Sequence, residues 1–451
     1  MSRRHSIATL ALLGAWFCAC GVLGEQRFPP PDFESGYHLP NTATPPARAI
    51  LLEYVDVVVL LVTLGLASWF VLRKRSRRAV FGLSLFSLAY FGFYRKGCVC
   101  AIGSVQNVSL ALFEPGYAVP LTVLWFFFAP LMFTLLAGRS FCAAVCPHGA
   151  LQDLVLLKPI KVPLWLEQGL GTLPFIFLGA GILFAATGSA FVICRYDPFV
   201  PLFRLSGSFV MLGAGAVFLL LGLFVGRPYC RFLCPYGAML RLASIVAKWR
   251  VTITPDYCTQ CRLCEESCPF GVIRRPSLVG ADPAGVALDR ARLGWLLALL
   301  PVLIGLGAWG GGKLAVPASR LHPTVALAER YADPRRSPPP PGPATPDALA
   351  IGRAEQDPKA ILAAAVDIRR RFALSCWLFG GWVGLVIGAR LIALSVRPSR
   401  KDYEPDRGGC LGCARCFMSC PNERVRLGLL PASALAEHGA APASPALVCQ
   451  R

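Results

Sequence analysis

Apolar runs of about 20 residues recur along this 451-residue chain, and that is the length an α-helix needs to cross the hydrocarbon of a bilayer. The composition agrees: 55% of residues are hydrophobic, only 16% are charged and mean hydropathy is +0.56, which excludes an ordinary soluble enzyme. The expected fold class is therefore an all-α polytopic membrane protein. Seven spans are read, over 51–72, 79–95, 119–137, 172–193, 207–225, 292–312 and 373–396. Ahead of them, residues 1–24 read as a signal peptide or anchor, with Arg3, Arg4 and His5 before an apolar stretch, and 25–50 as an extracytoplasmic segment.

The formal charge of +20 suggests nucleic acid at first sight. The basic residues, however, sit beside the apolar runs, as in Arg73 to Arg78, Arg227 to Arg250 and Arg397 to Lys401, which is the positive-inside pattern, with a basic docking surface for an acidic electron carrier as a lesser reading. No nucleic acid partner is expected. Placing Arg73 to Arg78 in the cytoplasm of a bacterial cell fixes the later loops by alternation and leaves the C-terminus inside. Arg95-Lys96 and Arg369 to Arg371 then fall outside, against the rule. Residues 313–372 form an extracytoplasmic loop with a stiff proline linker at Pro338 to Pro343, and 431–451 read as a disordered tail.

Nineteen cysteines are many for such a chain, and most fall into tight patterned groups rather than the scatter of a disulfide scaffold. Cys258-x2-Cys261-x2-Cys264-x3-Cys268-Pro269 and Cys410-x2-Cys413-x2-Cys416-x3-Cys420-Pro421 both match the run that holds 4Fe-4S clusters in bacterial ferredoxins. Three thiolates on a short loop wrap one cubane, and the fourth, before proline, reaches the other cluster. One cluster is therefore expected on Cys258, Cys261, Cys264 and Cys420, the other on Cys410, Cys413, Cys416 and Cys268. This requires two segments, 250–278 and 397–430, to meet in one cytoplasmic lobe across 141 intervening residues that contain two spans. The competing reading of such runs is structural zinc.

Within the transmembrane core over 51–249, Gly138 to Ala150 recurs 88 residues later as Gly226 to Ala238, each copy carrying Gly-Arg-x2-Cys-x3-Cys-Pro-x-Gly-Ala. The repeated unit reads as a helical hairpin used twice in one orientation, related by an axis along the membrane normal. In a helix, residues four apart share a face, so Cys142 with Cys146 and Cys230 with Cys234 would offer four thiolates to an additional metal or iron-sulfur centre; the alternative is buried small residues in a packing seam. Cys98, Cys100 and Cys194 fall in corresponding outside turns and would bind a metal centre or form a disulfide. No histidine lies within a span, which excludes a haem on paired intramembrane histidines. Glu53 and Asp56 sit near an outer edge and Arg390 near an inner one, leaving no carboxylate at mid-membrane, where an ion pump usually has one.

These Cys-Pro repeats, the turn Arg95-Lys96-Gly97-Cys98-Val99-Cys100, and Cys194-Arg195-Tyr196-Asp197-Pro198-Phe199 resemble the membrane core of the NosR/NirI family, related to NapH-type quinol dehydrogenase subunits. So do Leu321 to Val325 and Asp402 to Arg407, and the resemblance covers roughly 50 to 430. It implies electron delivery across the bacterial cytoplasmic membrane between a cytoplasmic carrier or quinone and a periplasmic redox system, with two cytoplasmic ferredoxin-type clusters. NosR-type members carry an extracytoplasmic flavin domain, with FMN at a Ser-Gly-Ala-Thr-like site; this sequence shows neither, so FMN is expected on a separate partner flavoprotein or not at all. The alternative function is a redox-sensing or metal-supplying assembly factor working through Cys98, Cys100 and Cys194. An ion-translocating oxidoreductase is disfavoured by the missing carboxylates.

Overall fold

A computed structural model describes residues 49–97, 100–253, 260–277, 283–332, 358–396 and 402–431, together with Cys258 and Arg400. The leader over 1–24, nearly all of the 25–50 segment, Cys98, the proline linker and all but the first residue of the 431–451 tail lie outside the described residues. Contacts divide the chain after Glu53. Of the first unit only the opening turn of the first helix is described, and everything below concerns the second.

The described chain is helical. In order come α1 (Ile50–Leu72), α2 (Arg77–Ser87) running into a π-helical turn (Leu88–Tyr94), α3 (Ala101–Phe113), α4 (Leu121–Ala137), a second π-helical turn (Phe141–Val145), α5 (Pro147–Leu154), α6 (Leu164–Leu170) and α7 (Leu173–Ala186). Next are the short α8 (Val192–Arg195) and α9 (Val200–Arg204), α10 (Phe209–Gly222), α11 (Pro228–Phe232), α12 (Pro235–Ile245) and α13 (Leu263–Ser267). Strand β1 (Ile273–Arg274), α14 (Pro283–Ser319), α15 (Pro323–Ala332), α16 (Pro358–Ser395), β2 (Glu404–Pro405), α17 (Arg415–Ser419) and α18 (Pro421–Arg426) complete it.

Among the described residues, four stretches are long and apolar enough to cross a membrane: Ile50–Leu72, Leu164–Ala186, Arg290–Ser319 and Lys359–Ser395. Three expected spans differ: that over 79–95 becomes α2 running into the first π-helical turn, and those over 119–137 and 207–225 contract to α4 and α10, 17 and 14 residues. In addition α3, an apolar helix of 13, occupies sequence read as loop. The physical reason is that the connections fold back into the bundle. Short helices and irregular backbone are tolerated at membrane depth where protein rather than lipid surrounds them.

The fold-back is visible in the bonds. After α4, Gly138 takes φ +66° and reverses the chain. In the second copy Arg227 takes the left-handed turn, at φ +49°. The chain then re-enters, and Tyr236 at the start of α12 donates to the carbonyl of Phe127 at 2.7 Å, roughly 15 Å along α4 from its end at Ala137. Helix α12 leads back out, where the N–H groups of Lys248 and Trp249 donate to Leu135 and Leu136 at the end of α4. Helix α5 returns likewise, but to the end of α10: Leu157 and Lys158 donate to Leu223, and Ile160 to Phe224. Each copy of the repeat therefore exits along the span of the other.

From the opposite end, the connection after α7 also dips inward. Ile193 packs on Gly181 of α7, and a Cβ on Gly215 of α10 would meet the Pro198 carbonyl at 2.5 Å. Asp56 of α1 anchors the other dip, accepting from Tyr90 at 2.7 Å and pairing with Arg95 at 2.8 Å.

Helices α14 and α16 form a long antiparallel pair whose backbones nearly touch. They run 37 and 38 residues, well past the expected spans 292–312 and 373–396. Without water to drive their association, close approach over small residues holds such pairs. A Cβ on Gly307, Gly311, Gly380 or Gly384 would collide with the facing backbone, whereas one on Gly305 meets nothing within 4 Å. Gly307→Val should therefore destabilise the protein by about 1–3 kcal/mol, read as a lower thermal midpoint in detergent, while Gly305→Val leaves that midpoint unchanged. Equal effects from the two would refute glycine-mediated contact.

Candidate iron-sulfur sites

The two ferredoxin segments meet. Strand β1 pairs antiparallel with β2, Ile273 opposite Pro405 and Arg274 opposite Glu404, and Ser277 bridges to Arg400. The N–H of Asp406 donates to Val272 at 2.8 Å, and α13 packs on α17. This pairing crosses the runs. Cys258, Cys261, Cys264 and Cys420 line one small space, with Ile253, Arg262 and Tyr403 beside them. Cys410, Cys413, Cys416 and Cys268 make a second set beside it, at the junction with the helical core.

Both sets are crowded, buried thiols. Burial pushes the Cys264 thiol up to about 12, and Cys258, Cys261 and Cys420 add to the rise. Cys410 is likewise pushed up to about 12 by burial, with Cys413 and Cys268 contributing. Cys416 lies well above its ordinary value from burial and from Cys413, Cys410 and Cys268. Bound iron would offset both the burial cost and the mutual repulsion of four thiolates, and ligation would release protons. Among the described residues no three His, Cys, Asp or Glu side chains gather as one metal ion requires.

Arginines seat this lobe on the helical core. Arg75 pairs with Glu423 at 2.9 Å and lies over the Phe417 ring, and Arg77 donates to the Cys413 carbonyl at 3.3 Å. The buried Asp153 of α5 pairs with Arg77, with Arg415 at 3.1 Å and with Arg227 at 3.5 Å. The loop of the second set rests on the repeat, since a Cβ on Gly412 would lie 3.7 Å from that of Ala143.

The repeat cysteines are not on continuous helices. Cys142 lies in a π-helical turn and Cys230 in α11, whereas Cys146 and Cys234 are extended residues capping α5 and α12. Pro147 and Pro235 in the first helical positions force the break, because proline fixes φ and cannot continue the ladder behind it. The expected shared helical face is therefore replaced by two sulfurs on either side of a bend. The cap position suits a thiolate, since the free N–H groups of a helix start favour negative charge; Cys234 Sγ accepts from Gly237 at 3.3 Å. The copies interlock through their arginines. Arg227 donates to the carbonyls of Cys142 and Ala143, and Arg139 lies 3.7 Å from Cys142 Sγ and bonds the Gly408 carbonyl of the lobe at 3.2 Å. A Cβ on Gly149 would meet Arg227, and one on Gly237 would meet Arg139, at 3.1 and 3.4 Å. Gln152 donates to Cys230 Sγ at 3.2 Å.

The outside turns reach this centre. Cys100 and Cys146 line one small cavity with Leu60, Phe91, Phe126 and His148. Cys194 packs on α3 within a turn of Cys100, its sulfur 2.9 Å from where a Gly103 Cβ would stand, and its N–H donates to Gln106 at 3.1 Å. The two turns thus adjoin, at mid-bundle rather than at the rim.

Two sequence expectations fall here. His148, counted outside the spans, is fully buried at mid-bundle on the re-entrant segment, so the spans alone did not locate the intramembrane histidine. Asp197, read as an outside loop residue, is 3% exposed and accepts from His148 Nε2 at 3.0 Å and from Tyr229 Oη at 3.3 Å. The core therefore does hold a buried carboxylate, and its supposed absence no longer argues against ion translocation. Phe199, Phe203 and Tyr229 enclose the pair. A polar triplet between apolar runs, Pro147-His148-Gly149, was the available signal.

Family comparison agrees with this layout. A family profile described as "4Fe-4S binding domain" matches 119–163 and again 207–253, the two repeat copies, and a second of the same description matches 250–273. The putative electron transport protein YccM of Escherichia coli is 26% identical over 31% of this chain and 43% of its own length. Regulatory protein NosR of Pseudomonas aeruginosa is 29% identical over 52% of this chain and 35% of its own, and Protein NirI of Paracoccus denitrificans 32% over 30% and 22%. The chain thus spans less than half the length of each of these relatives. No solved structure matches. Over the repeat and the first ferredoxin run the chain is therefore similar to NosR/NirI-type polyferredoxins.

Proposed function

We propose that this protein is a transmembrane electron conduit between a cytoplasmic carrier or the quinone pool and a periplasmic redox system. The observation that carries this reading is the cavity shared by Cys100, on a turn entering from one end of the bundle, and Cys146, on a segment entering from the other. A single jump across roughly 30 Å of hydrocarbon would be too slow for a conduit. Sulfurs brought to mid-depth from both ends remove that gap.

In this reading Cys258, Cys261, Cys264 and Cys420 hold one 4Fe-4S cluster and Cys410, Cys413, Cys416 and Cys268 a second. Cys142, Cys146, Cys230 and Cys234 hold a further centre, with Cys100 and Cys194 beside it. Such clusters, when bound, supply centres that accept and release one electron at a time. The protein's own groups align the sulfur sets and keep water from them: Arg75 and Arg77 pin the lobe, Arg139 and Arg227 lock the repeats, and the aromatic wall around His148 seals the middle. The run Arg73 to Arg78 lies with the lobe, so the positive-inside rule puts both in the cytoplasm. The relative described as a putative electron transport protein supports the reading.

A second reading, a redox-sensing or metal-supplying assembly factor, draws on the exposure of Cys194 and on the regulatory description of NosR.

Cys420→Ser should remove about four irons per chain and the same EPR signal that Cys258→Ser removes, while Cys268→Ser matches Cys410→Ser. The opposite pairing would overturn the crossed assignment. In proteoliposomes, reduced wild-type protein should discharge to an impermeant acceptor on the far side, and Cys146→Ser should slow this roughly tenfold or more, a barrier rise of about 1.4 kcal/mol. Fully reduced clusters with no discharge would sink the conduit and leave the second reading.

A further inference from the structure

Between the lobe and the helical core lies a small cleft walled by α6, the start of α7, α12, α16 and the loop at Gly409. Arg139, Arg231, Arg241, Arg274 and Arg390 line it against two carboxylates, Glu167 and Asp406. Glu167 is engaged by Arg231 at 2.8 Å, and Asp406 accepts from the Gly409 N–H at 2.8 Å. Both carboxylates also act on Arg241 and Arg390 across the cleft, but two negative charges only partly offset five guanidiniums. Arg241 and Arg390 converge on one spot, since a Cβ on Gly171 would meet Arg390 Nη2 at 3.2 Å and Arg241 Nη1 at 3.7 Å. Among the described residues neither has a carboxylate at ion-pair distance. The Nε atoms of Arg139 and Arg390 and Gln168 Oε1 are buried without a hydrogen-bond partner.

Convergent guanidiniums held out of water repel each other, and a buried donor without an acceptor costs about 1–3 kcal/mol. A fold keeps such an arrangement when an anion completes it. Guanidinium forks match the tetrahedral oxygens of phosphate better than a lone carboxylate, by bidentate bonds. The place fits as well, because basic pockets between spanning helices at the membrane surface are where phosphate headgroups lodge, and Pro174 and Phe175 give this cleft an apolar side.

We propose that the cleft binds a phosphate-bearing anion, with Arg241 and Arg390 as its principal donors and Arg139 and Arg274 supplying the surrounding charge. An anionic lipid headgroup and a soluble phosphate share this chemistry. Either would bridge α12, α16 and the lobe beside Cys230, tying the seat of the lobe to the long helical pair. The site is independent of the electron-transport reading.

The test uses the full-length holoprotein in phosphatidylcholine nanodiscs. Thermal unfolding is followed with inorganic phosphate against chloride at equal ionic strength, and separately in nanodiscs containing phosphatidylglycerol. One of the two anions should raise the wild-type midpoint by about 2–4 °C, and Arg241→Gln/Arg390→Gln should lose that rise while keeping wild-type iron content. A rise with phosphatidylglycerol alone assigns the headgroup, and a rise with free phosphate alone assigns the soluble anion. No rise with either, or an equal rise in the double variant, overturns the proposal. Should the double variant lose iron, Arg390→Gln alone is measured by the same readouts, and an undiminished rise in it overturns the proposal equally.

Discussion

The structure turns on Asp153. Its carboxylate has no solvent exposure, and burying one unpaired would cost several kcal/mol. Arg77 from α2, Arg227 from the second repeat copy and Arg415 from the ferredoxin lobe replace the lost water. Three elements distant in sequence are thereby fixed against α5, whose first turn follows Cys146. Glu423 does similar work one layer out, buried between Arg75 and Arg426. The lobe is thus held by charge as well as by apolar contact, since Phe270, Val272, Leu411 and Phe417 join the buried core of the bundle.

Around that anchor the repeat closes on itself. Each copy sends its guanidinium to a glycine of the other and leaves along the other's span. Neither copy could keep its re-entrant backbone satisfied alone, because the carbonyls at the ends of α4 and α10 are capped by N–H groups from the opposite copy. The glycine of each Pro-x-Gly is needed where an arginine and a carbonyl press against its Cα.

Much of this was legible in the sequence. The Cys-Pro runs carry their own wiring rule, and the crossed grouping of Cys268 and Cys420 follows from it. The duplicated Gly-Arg-x2-Cys-x3-Cys-Pro implied facing copies. Depth was not legible. Hydropathy reports what a segment is made of, so the segment Phe141 to Val145, which follows the span read over 119–137, gives no sign that it re-enters the bundle, and α3 reads as a loop because polar Ser104, Gln106 and Asn107 interrupt it. The His148–Asp197 pair joins residues 49 apart, each in a neighbourhood that resembles a turn. Arg75 and Arg77 were read as topological signals, and nothing local to them announces that each also grips the lobe.

The exchange of one sulfur between the ferredoxin halves bears on how the protein is made. Neither four-sulfur set is complete until Cys410 to Cys420 have left the ribosome, and those residues reach their partners only once α14 and α16 have been threaded through the bilayer and zipped along their glycines. If these sets hold the clusters proposed above, cofactor loading waits for the end of biogenesis. A nascent chain stalled before that hairpin inserts would then carry three of the four sulfurs of one set and a single sulfur of the other, and maturation would double as a check that translation and insertion are finished.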